Sequence, residues 1–567
     1  MMHAISRSAT SILLVSLAIS GCEPTTPLSS MPSDESEQLV LIEGTSEPFT
    51  REAVYFVMTD RFVDGDKSNN YENQGAEHPT WRLPLHGPDG QTAFVGYMGG
   101  DLKGIVNNID YIKDMGFSAI WTTPVVDNPD QAFTGSEPIG FGGQFKDGGK
   151  SGYHGYWATN FYQPDEHLVS VDLTVKDYTD ALHKAGMKAV FDIVANHGSL
   201  SFSMPADQPG FGEIYDKDGK LVADHNNLHP TALDTSEPLQ AFFHPFPDLV
   251  ELSNLNEDNP DVQDYLINSY LYWIEQGADA FRIDTIRHVS HHFWRVMSDR
   301  IRAAHPGFYM FGESFQYDAN FIAQHTLPKN GGISVLDFPM QKAMVSVFGK
   351  DDKDYEALEE TLFLTHGPYN NPYDLATFYD NHDMPRMDAT DNGFIDAHNW
   401  LFTTRGIPVV YQGSEIGFMR GTAEHSGNRN YLGQENIDKA PEHDIYQALR
   451  AIARVRQTTP ALQSGLQYML TIKGHRAAFY RVLQNHKVQQ TALVLLNKGD
   501  QATTFTIAQH VQAGQWVEQL SGNTLTISSQ DSLEATVAPH SAQVWVREGE
   551  IDDKAFLSAL IRQMEYQ

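Results

Sequence analysis

Short apolar runs alternate along this chain with segments in which hydrophobic residues recur every three to four positions. The first pattern is typical of buried strands, and the second is typical of helices that bury one face. The apolar runs lie at 54–58, 117–124, 188–194, 279–284, 308–313, 333–338, 375–380 and 407–413. Helical segments lie between them at 104–116, 175–186, 261–277, 291–305 and 443–457. Eight strands separated mainly by helices predict an α/β fold, a (β/α)8 TIM barrel.

Three parts of the chain depart from this alternation. Residues 198–260 lack helical periodicity and are rich in Pro, Gly, Asp and His, which predicts an irregular subdomain B inserted after the third strand. The barrel then comprises 49–197 and 261–460. Residues 461–548 contain short apolar runs separated by turn residues, which predicts an all-β sandwich. Residues 549–567 predict a C-terminal amphipathic helix that packs on its own protein, because it lacks a basic face.

The N-terminal residues resemble an export signal. After Arg7, residues 11–19 form an apolar stretch that is too short to span a membrane. Residues 17–22 (LAISGC) resemble a bacterial lipobox, which implies that 1–22 is a lipoprotein signal peptide and that Cys22 is lipidated. The alternative is an ordinary signal peptide with an incidental cysteine. Glu23 stands where an inner-membrane retention signal has Asp, so we expect export to the outer membrane, periplasm or cell surface, with the lipid anchor as the only membrane attachment.

Composition limits the partners of the protein. Residues 23–48 are rich in Pro, Ser, Thr and Glu and predict a flexible linker. The chain carries 39 Lys and Arg against 73 Asp and Glu, a formal net charge of −34. A chain this acidic repels phosphates, which excludes nucleic acid, and its acidity reflects solubility or, in part, carboxylates that bind cations. One cysteine excludes an intramolecular disulfide, and we expect a monomer.

Polar residues stand at the C-terminal ends of several predicted strands, where barrels of this type carry their chemistry. The third strand leads to Asp192, Asn196 and His197, the fourth ends in Arg282 and Asp284, the fifth in Glu313, and the seventh leads to Asn381, His382 and Asp383. One acid at a strand end can simply cap the next helix, but three acids from separate strands predict a shared pocket.

Paired acids suit the hydrolysis of glycosidic bonds, which needs two carboxyl groups on either side of the bond that breaks. Clustered carboxylates raise each other's pKa, which keeps one of them protonated near neutral pH. Arg282 shares a strand face with Asp284, because side chains alternate with a period of two. Its positive charge is therefore expected to keep Asp284 ionised.

Four segments in this order, DIVANH (192–197), FRIDTIRH (281–288), FGES (311–314) and YDNHD (379–383), resemble the signature regions of the α-amylase superfamily. LSNLN (252–256) resembles a fifth region. TDRFVDGDKSNN (59–70), YMGGDLKGI (97–105) and YHGYW (153–157) resemble the N-terminal part of amylases and cyclodextrin glucanotransferases. The likeness covers about 50–548. It implies a retaining enzyme that cuts α-1,4-glucosidic bonds in starch, glycogen or maltooligosaccharides.

The resemblance also implies what each site residue does. Asp284 would be the nucleophile, Glu313 the general acid and base, and Asp383 the third acid, which holds sugar hydroxyls and favours the distorted ring. Arg282 would orient Asp284. The other sugar-binding side chains would be His197, His382, Tyr156, His154, Arg287 and Arg386, with Tyr156 stacked on a sugar ring.

An oxygen-rich loop is a candidate calcium site. It contains Asp64, Asp66, Asn69 and Asn70, which fit either a Ca²⁺ site or a plain turn. Its resemblance to the N-terminal calcium loop of cyclodextrin glucanotransferases implies a metal, with Gly99 and Asp101 supplying further oxygens. The resemblance implies a second Ca²⁺ held by Asn196, Asn254 and the backbone carbonyl of His288. Many relatives have Asp where Asn254 stands, so this second site carries less negative charge.

Several functions stay open within these limits: an α-amylase, a cyclodextrinase, maltooligosaccharide-forming enzyme or glucanotransferase of the same family, or a non-catalytic glycan-binding lipoprotein. The segment after 548 is too short for a starch-binding domain, which argues against a full glucanotransferase architecture. Residues 142–152 resemble a phosphate loop around Lys150, but the glycine spacing is wrong. His288, His291 and His292 are not placed as a zinc cluster.

Overall fold

The chain folds around a parallel sheet that closes on itself, which confirms the predicted TIM barrel. The computed structural model describes residues 39–143, 146–528 and 531–565. Within these residues the sheet has eight strands in the order six, five, four, three, two, one, eight, seven, and a bridge between Leu336 and Ala376 closes the circle. The barrel strands are Val54–Val57, Ala119–Thr122, Lys188–Ile193, Ala280–Ile283, Tyr309–Gly312, Ser334–Val335, Ala376–Thr377 and Ile407–Tyr411.

Helices cover the outside of this barrel. Those longer than five residues in the part before the C-terminal sheets are Leu102–Asn107, Ile109–Asp114, Val175–Lys184, Pro260–Glu275, His291–Ala304, Phe338–Phe348, Asp391–Thr403, Gly433–Lys439 and Asp444–Thr458. The predicted helix at 104–116 is divided at Asn108. Thr174 begins its helix with a reciprocal capping box to Asp177, which satisfies two backbone donors at the helix start.

The segment after the third barrel strand forms short strands rather than helices. Those that it contributes are His197–Leu200, Glu213–Tyr215, Leu221–Asp224 and Leu252–Asn254. Two more, Val126–Asp127 and Asn160–Pro164, come from the loop after the second barrel strand and complete a four-stranded sheet. Subdomain B is therefore built from two loops, whereas the sequence assigned it to 198–260 alone.

The C-terminal part is a sandwich with a helix against it. Its strands are Leu466–Lys473, Arg476–Gln484, Gln489–Asn497, Thr503–Ile507, Gly514–Glu518, Thr524–Ile527, Leu533–Val537 and Ser541–Glu548. They form a six-stranded and a two-stranded sheet that share one hydrophobic core. The helix Lys554–Met564 buries Phe556 and Leu560 in that same core. It packs on its own protein, as expected.

The prediction of a flexible linker at 23–48 is wrong from residue 40 onward. Ile42 forms a bridge with Gln484 of the C-terminal sheet and is fully buried. Its N–H donates to the carbonyl of Gln484 at 2.9 Å. Glu47 then caps the short helix Pro48–Arg51. An apolar run of four residues, Leu39 to Ile42, is enough to add an extended segment to the sheet, and the polar composition of the rest of the linker obscured it.

The expected signal peptide, lipobox and lipidated Cys22 lie outside the described residues. So do the first residues of the linker, including Glu23. Within the described residues, no helix combines the length and the apolar character that crossing a membrane requires.

A buried ion pair lies beside the closure of the barrel. The sixth and seventh strands have only two residues each. Arg405, which lies just before the eighth strand, places Nη1 2.9 Å from Oδ2 of Asp337, and both side chains are inaccessible to solvent. Its remaining donors reach the carbonyls of Thr361, Leu362 and Pro372. One guanidinium thus joins the loops on both sides of the closure.

Candidate active site

The guanidinium of Arg282 lies at the centre of the site. Its Nη1 donates to Oδ1 of Asp284 and to Oδ1 of Asp192, both at 2.9 Å, and its Nη2 lies 3.2 Å from Oε2 of Glu313. Arg282 is fully buried, and Asp284 and Glu313 are 6% and 5% exposed. The three acids come from the ends of the third, fourth and fifth strands, which are neighbours in the sheet. The convergence of Asp284 and Glu313 that the strand pattern predicts is therefore present.

The residue that follows Asp284 has a left-handed backbone conformation. Thr285 has φ 48° and ψ 34°, which is uncommon for a β-branched side chain. This turn brings its N–H to 3.4 Å from Oε2 of Glu313, and the N–H of Ile286 donates to the Glu313 carbonyl at 3.1 Å. Backbone strain of this kind persists only where the surroundings fix it. Here it sets the end of the fourth strand against the end of the fifth.

Burial controls the protonation of two of these acids. It raises the pKa of Glu313 to about 8, although the charge of Arg282 opposes it, and Asp284 and Asp383 raise it further. Burial also raises the pKa of Asp192 to about 7. Glu313 is therefore protonated at neutral pH, which is the state that a proton donor needs.

Asp383 reaches the site from the loop after the seventh strand. Nη2 of Arg429 donates to its Oδ1 at 2.6 Å, and Nε2 of His382 lies 3.2 Å from its Oδ2. Burial raises the pKa of Asp383, but contact with His382 and the charges of Arg429 and Arg282 outweigh burial, so the pKa is lowered overall. At neutral pH, Asp383 is thus ionised whereas Glu313 is protonated.

Three predicted sugar-binding rings surround these acids. The rings of Tyr156 and His382 are parallel within 10°, with centroids 5.4 Å apart, and Tyr156 donates its hydroxyl to Oδ2 of Asp192 at 2.9 Å. Burial lowers the pKa of His382 to about 3 and lowers that of His197, so both rings are neutral at pH 7. Nδ1 of each histidine has no hydrogen-bond partner among the described residues. His197 therefore keeps one ring nitrogen, and His382 both, without a hydrogen bond to the described residues.

Arg386 does not line the site, contrary to the prediction. It is 2% exposed, its Nη1 donates to the carbonyl of Gln412, and its Nε and Nη2 donate to the carbonyl of Asn428. All three nitrogen atoms of the guanidinium thus donate to backbone carbonyls of the loop after the eighth strand. The arginine beside Asp383 is Arg429, which the sequence did not single out, because only loop packing brings it there.

His154 lies behind Tyr156 rather than at the surface of the site. Its Nδ1 accepts a hydrogen bond from the N–H of Tyr156 at 3.0 Å, and its residue is 3% exposed. Burial lowers its pKa well below the ordinary value, so it is neutral. The contact supports a positioning part for His154, through the backbone of Tyr156.

Arg287 is exposed and contacts the segment that follows Glu313, among aromatic side chains. It donates to the carbonyl of Phe315 at 2.7 Å and lies over the ring of Phe321 at 5.3 Å. Phe315, Tyr317 and Phe321, here called the aromatic ridge, are 41%, 40% and 43% exposed. Exposed aromatic side chains grouped beside a cleft often mark a binding surface. This exposure could not be predicted, because apolar residues at these positions are equally compatible with a buried core.

The oxygen-rich loop gathers most of its predicted ligands. The Oδ1 atoms of Asp64, Asn69 and Asn70 are buried and have no hydrogen-bond donor among the residues described. Asp101 is fully buried, which raises its pKa to about 6. A Cβ atom on Gly99 would lie only 2.6 Å from Oδ1 of Asn70, so glycine is needed for this close approach. Buried oxygens without donors fit a hard cation.

The carboxylate of Asp66 is turned away from these oxygens. Its Oδ2 lies 3.2 Å from Nζ of Lys103, and its Oδ1 accepts from Ser68. The predicted side-chain ligation by Asp66 is therefore wrong, because the side chain caps the short helix Lys67–Asn69 instead.

The residues of the second predicted metal site also lie together, with one addition. Oδ2 of Asp248 lies 3.1 Å from Nδ2 of Asn196 and 3.0 Å from Nδ1 of His288. Asn254 donates from Nδ2 to the carbonyl of Phe246 at 3.3 Å. Asp248, which the sequence did not single out, thus brings a carboxylate to a site where Asn254 is neutral.

A parallel barrel whose mouth brings the carboxyl groups of Asp284 and Glu313 to one arginine is the arrangement of a class of enzymes, the glycosidases and related transferases that use two carboxyl groups. The chain belongs to the α-amylase family: the family described as "Alpha amylase, catalytic domain" matches residues 56–448. The arrangement of Asp284 and Glu313 therefore stands in an enzyme of this family.

Similar proteins include glucanotransferases and amylases. A cyclomaltodextrin glucanotransferase of Geobacillus stearothermophilus is 29% identical over 522 residues, which cover 88% of this chain and 67% of that protein. A beta/alpha-amylase of Paenibacillus polymyxa is 27% identical over 526 residues, which cover 88% of this chain and 38% of that protein.

Solved structures show the same mixture. An Anoxybacillus α-amylase has a TM-score of 0.67 and 25% identity, and covers 88% of this chain and 99% of its own. A cyclomaltodextrin glucanotransferase with a three-domain ABC distribution has a TM-score of 0.69 and 29% identity, with the same coverage. Because a three-domain glucanotransferase aligns this fully, the number of domains does not separate transfer from hydrolysis.

Proposed function

We propose that the protein is a retaining hydrolase that cleaves α-1,4-glucosidic bonds in starch, glycogen or maltooligosaccharides. The observation that carries the proposal is the contact of one guanidinium, that of Arg282, with both Asp284 and Glu313. Retaining glycosidases need two carboxyl groups close together, one ionised and one protonated. The family and its α-glucan-active relatives support the choice of substrate.

In the first step of this proposal, Oδ of Asp284 attacks the anomeric carbon and forms a glucosyl ester. The bond between that carbon and the leaving oxygen breaks, and Glu313 gives its proton to the oxygen. The raised pKa of Glu313, about 8, makes the proton available at neutral pH. Arg282 keeps Asp284 oriented for the attack, and Asp383 and His382 bind hydroxyl groups of the distorted sugar.

In the second step, Glu313 is a carboxylate and removes a proton from the incoming water. The water oxygen attacks the anomeric carbon, the ester bond to Asp284 breaks, and Glu313 regains its proton. Two displacements at one carbon retain its configuration. The neutral state of His197 and His382 suits them to hydrogen bonds with hydroxyl groups rather than to proton transfer at pH 7.

A second candidate function is transfer of the glucosyl group to another sugar. The aromatic ridge favours it, because it directly follows Glu313, the residue that protonates the leaving oxygen, and leaves apolar rings exposed there. A sugar ring stacked on this surface competes with water for the glucosyl ester. The glucanotransferase relatives agree with this candidate.

We also propose that Ca²⁺ binds at the loop of Asp64, Asn69, Asn70, Asp101 and the backbone at Gly99. The support is the set of buried oxygen atoms of Asp64, Asn69 and Asn70 that have no donors among the described residues. A divalent cation there would supply charge that holds the loop, away from the reacting atoms. A second ion held by Asn196, Asn254, Asp248 and the carbonyl of His288 is the weaker part of this proposal.

The test of hydrolysis is release of reducing sugar from soluble starch. We expect Asp284→Asn and Glu313→Gln each to lower kcat by at least about 1,000-fold, because each removes a reacting group. The melting temperature of both variants should stay close to that of the native enzyme. Asp299→Asn and Glu435→Gln are matched controls with side chains 72% and 82% exposed. Turnover within tenfold of the native enzyme in either site variant would remove the proposal.

A further inference from the structure

A group of charged side chains, here called the ion group, lies next to Asp383. Besides its contact with Asp383, Arg429 places Nη1 2.8 Å from Oε1 of Glu424. Nζ of Lys150 lies 3.9 Å from the same oxygen and 3.1 Å from Oδ1 of Asp147. Lys150 and Arg429 are each 6% exposed. Charges this deeply buried need partners, and here each cation has at least one.

The ion group joins three separate loops. Asp383 follows the seventh strand, Glu424 and Arg429 follow the eighth, and Lys150 belongs to the loop after the second. Backbone contacts fix the same junction: the N–H of Gly142 donates to the carbonyl of His425 at 2.8 Å. The orientation of Arg429 is therefore determined by more than its pairing with Asp383.

All three edges of the Arg429 guanidinium are used. Nε donates to the carbonyl of His382 at 3.0 Å, Nη1 faces Glu424, and Nη2 donates to Asp383. The planar fork of an arginine can reach three acceptors in fixed directions, whereas a lysine ammonium carries the charge and its donors on a single nitrogen and cannot reproduce that geometry. The side chain of Asp383 is 30% exposed, so without such a partner it has room to change rotamer.

We propose that Arg429 is a positioning residue, held in place by Glu424, that fixes the orientation of Asp383 toward the sugar and supplies it with positive charge. This inference rests on the proposed function, in which Asp383 must be ionised and must bind sugar hydroxyls in the transition state. Lys150 compensates the charge of Glu424 and ties the group to the loop after the second strand. Lys150, the residue that a phosphate loop would need, is thereby used within the protein.

The electrostatic consequence has a definite sign. The groups that face Asp383 are His382, Arg429, Arg282, and across the site Glu313 and Tyr156. Loss of Arg429 removes one of the positive charges that lower the pKa of Asp383, so this pKa rises. Because the ionised form is the active one, the acid limb of kcat/KM moves to higher pH, by about one unit for a close charge pair.

The test compares Arg429→Gln, Arg429→Lys and Glu424→Gln with the native enzyme on a maltooligosaccharide between pH 2.5 and 9, a range that includes the acid limb of the native enzyme. Arg420→Gln is the matched control, since Arg420 comes from the same loop and pairs with Asp391 instead. For Arg429→Gln we expect kcat about 100-fold lower, KM changed less than threefold, and the shifted acid limb. In Arg429→Lys the acid limb should return to the pH of the native enzyme, but kcat should recover only in part. Glu424→Gln should lower kcat about tenfold.

A purely structural salt bridge would lower the melting temperature and the active fraction but leave the acid limb in place. An acid limb and kcat like those of the native enzyme in Arg429→Gln would overturn the inference while hydrolysis by the native enzyme stands. A native enzyme that releases no sugar from starch or maltooligosaccharides would instead sink the proposed function, and the inference with it.

Discussion

The N–H of Thr285 lies 3.4 Å from Oε2 of Glu313, because Thr285 takes a left-handed conformation immediately after Asp284. A donor at this distance favours the ionised carboxylate. Burial nevertheless dominates and raises the pKa of Glu313 to about 8. The proton of Glu313 is thus kept at neutral pH against both an N–H group and the charge of Arg282.

This balance predicts the alkaline side of the pH profile. Glu313 must carry a proton to release the leaving group, so kcat/KM should fall as the pH rises through about 8. The measurement is kcat/KM on a maltooligosaccharide from pH 5 to 10, at constant ionic strength. Activity that stays constant to pH 10, or that is already half lost at pH 6, would contradict the assignment of Glu313.

Calcium should stabilise the folded chain. At a free concentration one hundred times the Kd, one bound ion contributes about 2.7 kcal/mol to the free energy of unfolding. We therefore expect a chelator to lower the melting temperature by several degrees and added Ca²⁺ to restore it. Asp64→Asn should weaken this response, and Asp248→Asn should reveal any part that belongs to the second site. A melting curve that neither chelator nor Ca²⁺ moves would argue against both ions.

The aromatic ridge should decide how much glucosyl ester goes to sugar rather than water. Phe321→Ala removes an exposed ring, so we expect unchanged release of reducing sugar at low substrate and fewer products longer than the substrate. Mass spectrometry of products from a single maltooligosaccharide measures this ratio. Leu520→Ala, equally exposed in the C-terminal sandwich, is the control. If the native enzyme makes no products longer than the substrate, the transfer candidate is abandoned.

Ile42 should stabilise the sandwich although it lies in a segment with the composition of a linker. Its side chain is fully buried, so Ile42→Ala should cost about 2–5 kcal/mol. Leu41→Ala is the neighbouring control, because Leu41 is 46% exposed and its loss should cost less than about 0.5 kcal/mol. Calorimetry of both variants separates the cases, and equal melting curves would show that the bridge to Gln484 is dispensable.

The barrel and the acids at its mouth could be predicted because each depends on contiguous residues. The eight strand runs are short and apolar, and Arg282 and Asp284 share a face of one strand. Three helices longer than five residues in the described part of the barrel, Phe338–Phe348, Asp391–Thr403 and Gly433–Lys439, were not predicted. The second of these is buried on nearly all sides, so its hydrophobic positions show no clear period.

The rest of the site depends on loop packing, which sequence spacing does not report. Arg386 is three positions from Asp383 yet donates to the backbone of another loop, while Arg429 is 46 positions away and contacts Asp383 directly. Asp248 was missed for the same reason, since nothing in its local pattern points to Asn196. Nearness in the chain was a poor guide wherever a loop, rather than a strand, carries the side chain.

The ion pair of Arg405 and Asp337 determines how the barrel tolerates change. Few backbone hydrogen bonds join the sixth and seventh strands. Removal of Arg405 would leave the carboxylate of Asp337 buried without a counter-charge, at a cost of about 3–5 kcal/mol. Loss of this single cation would therefore destabilise the junction of the sixth and seventh strands, and the sixth strand pairs with the fifth, which leads to Glu313. The position of the catalytic side chains at the mouth of the barrel thus depends in part on an ion pair that does not touch the substrate.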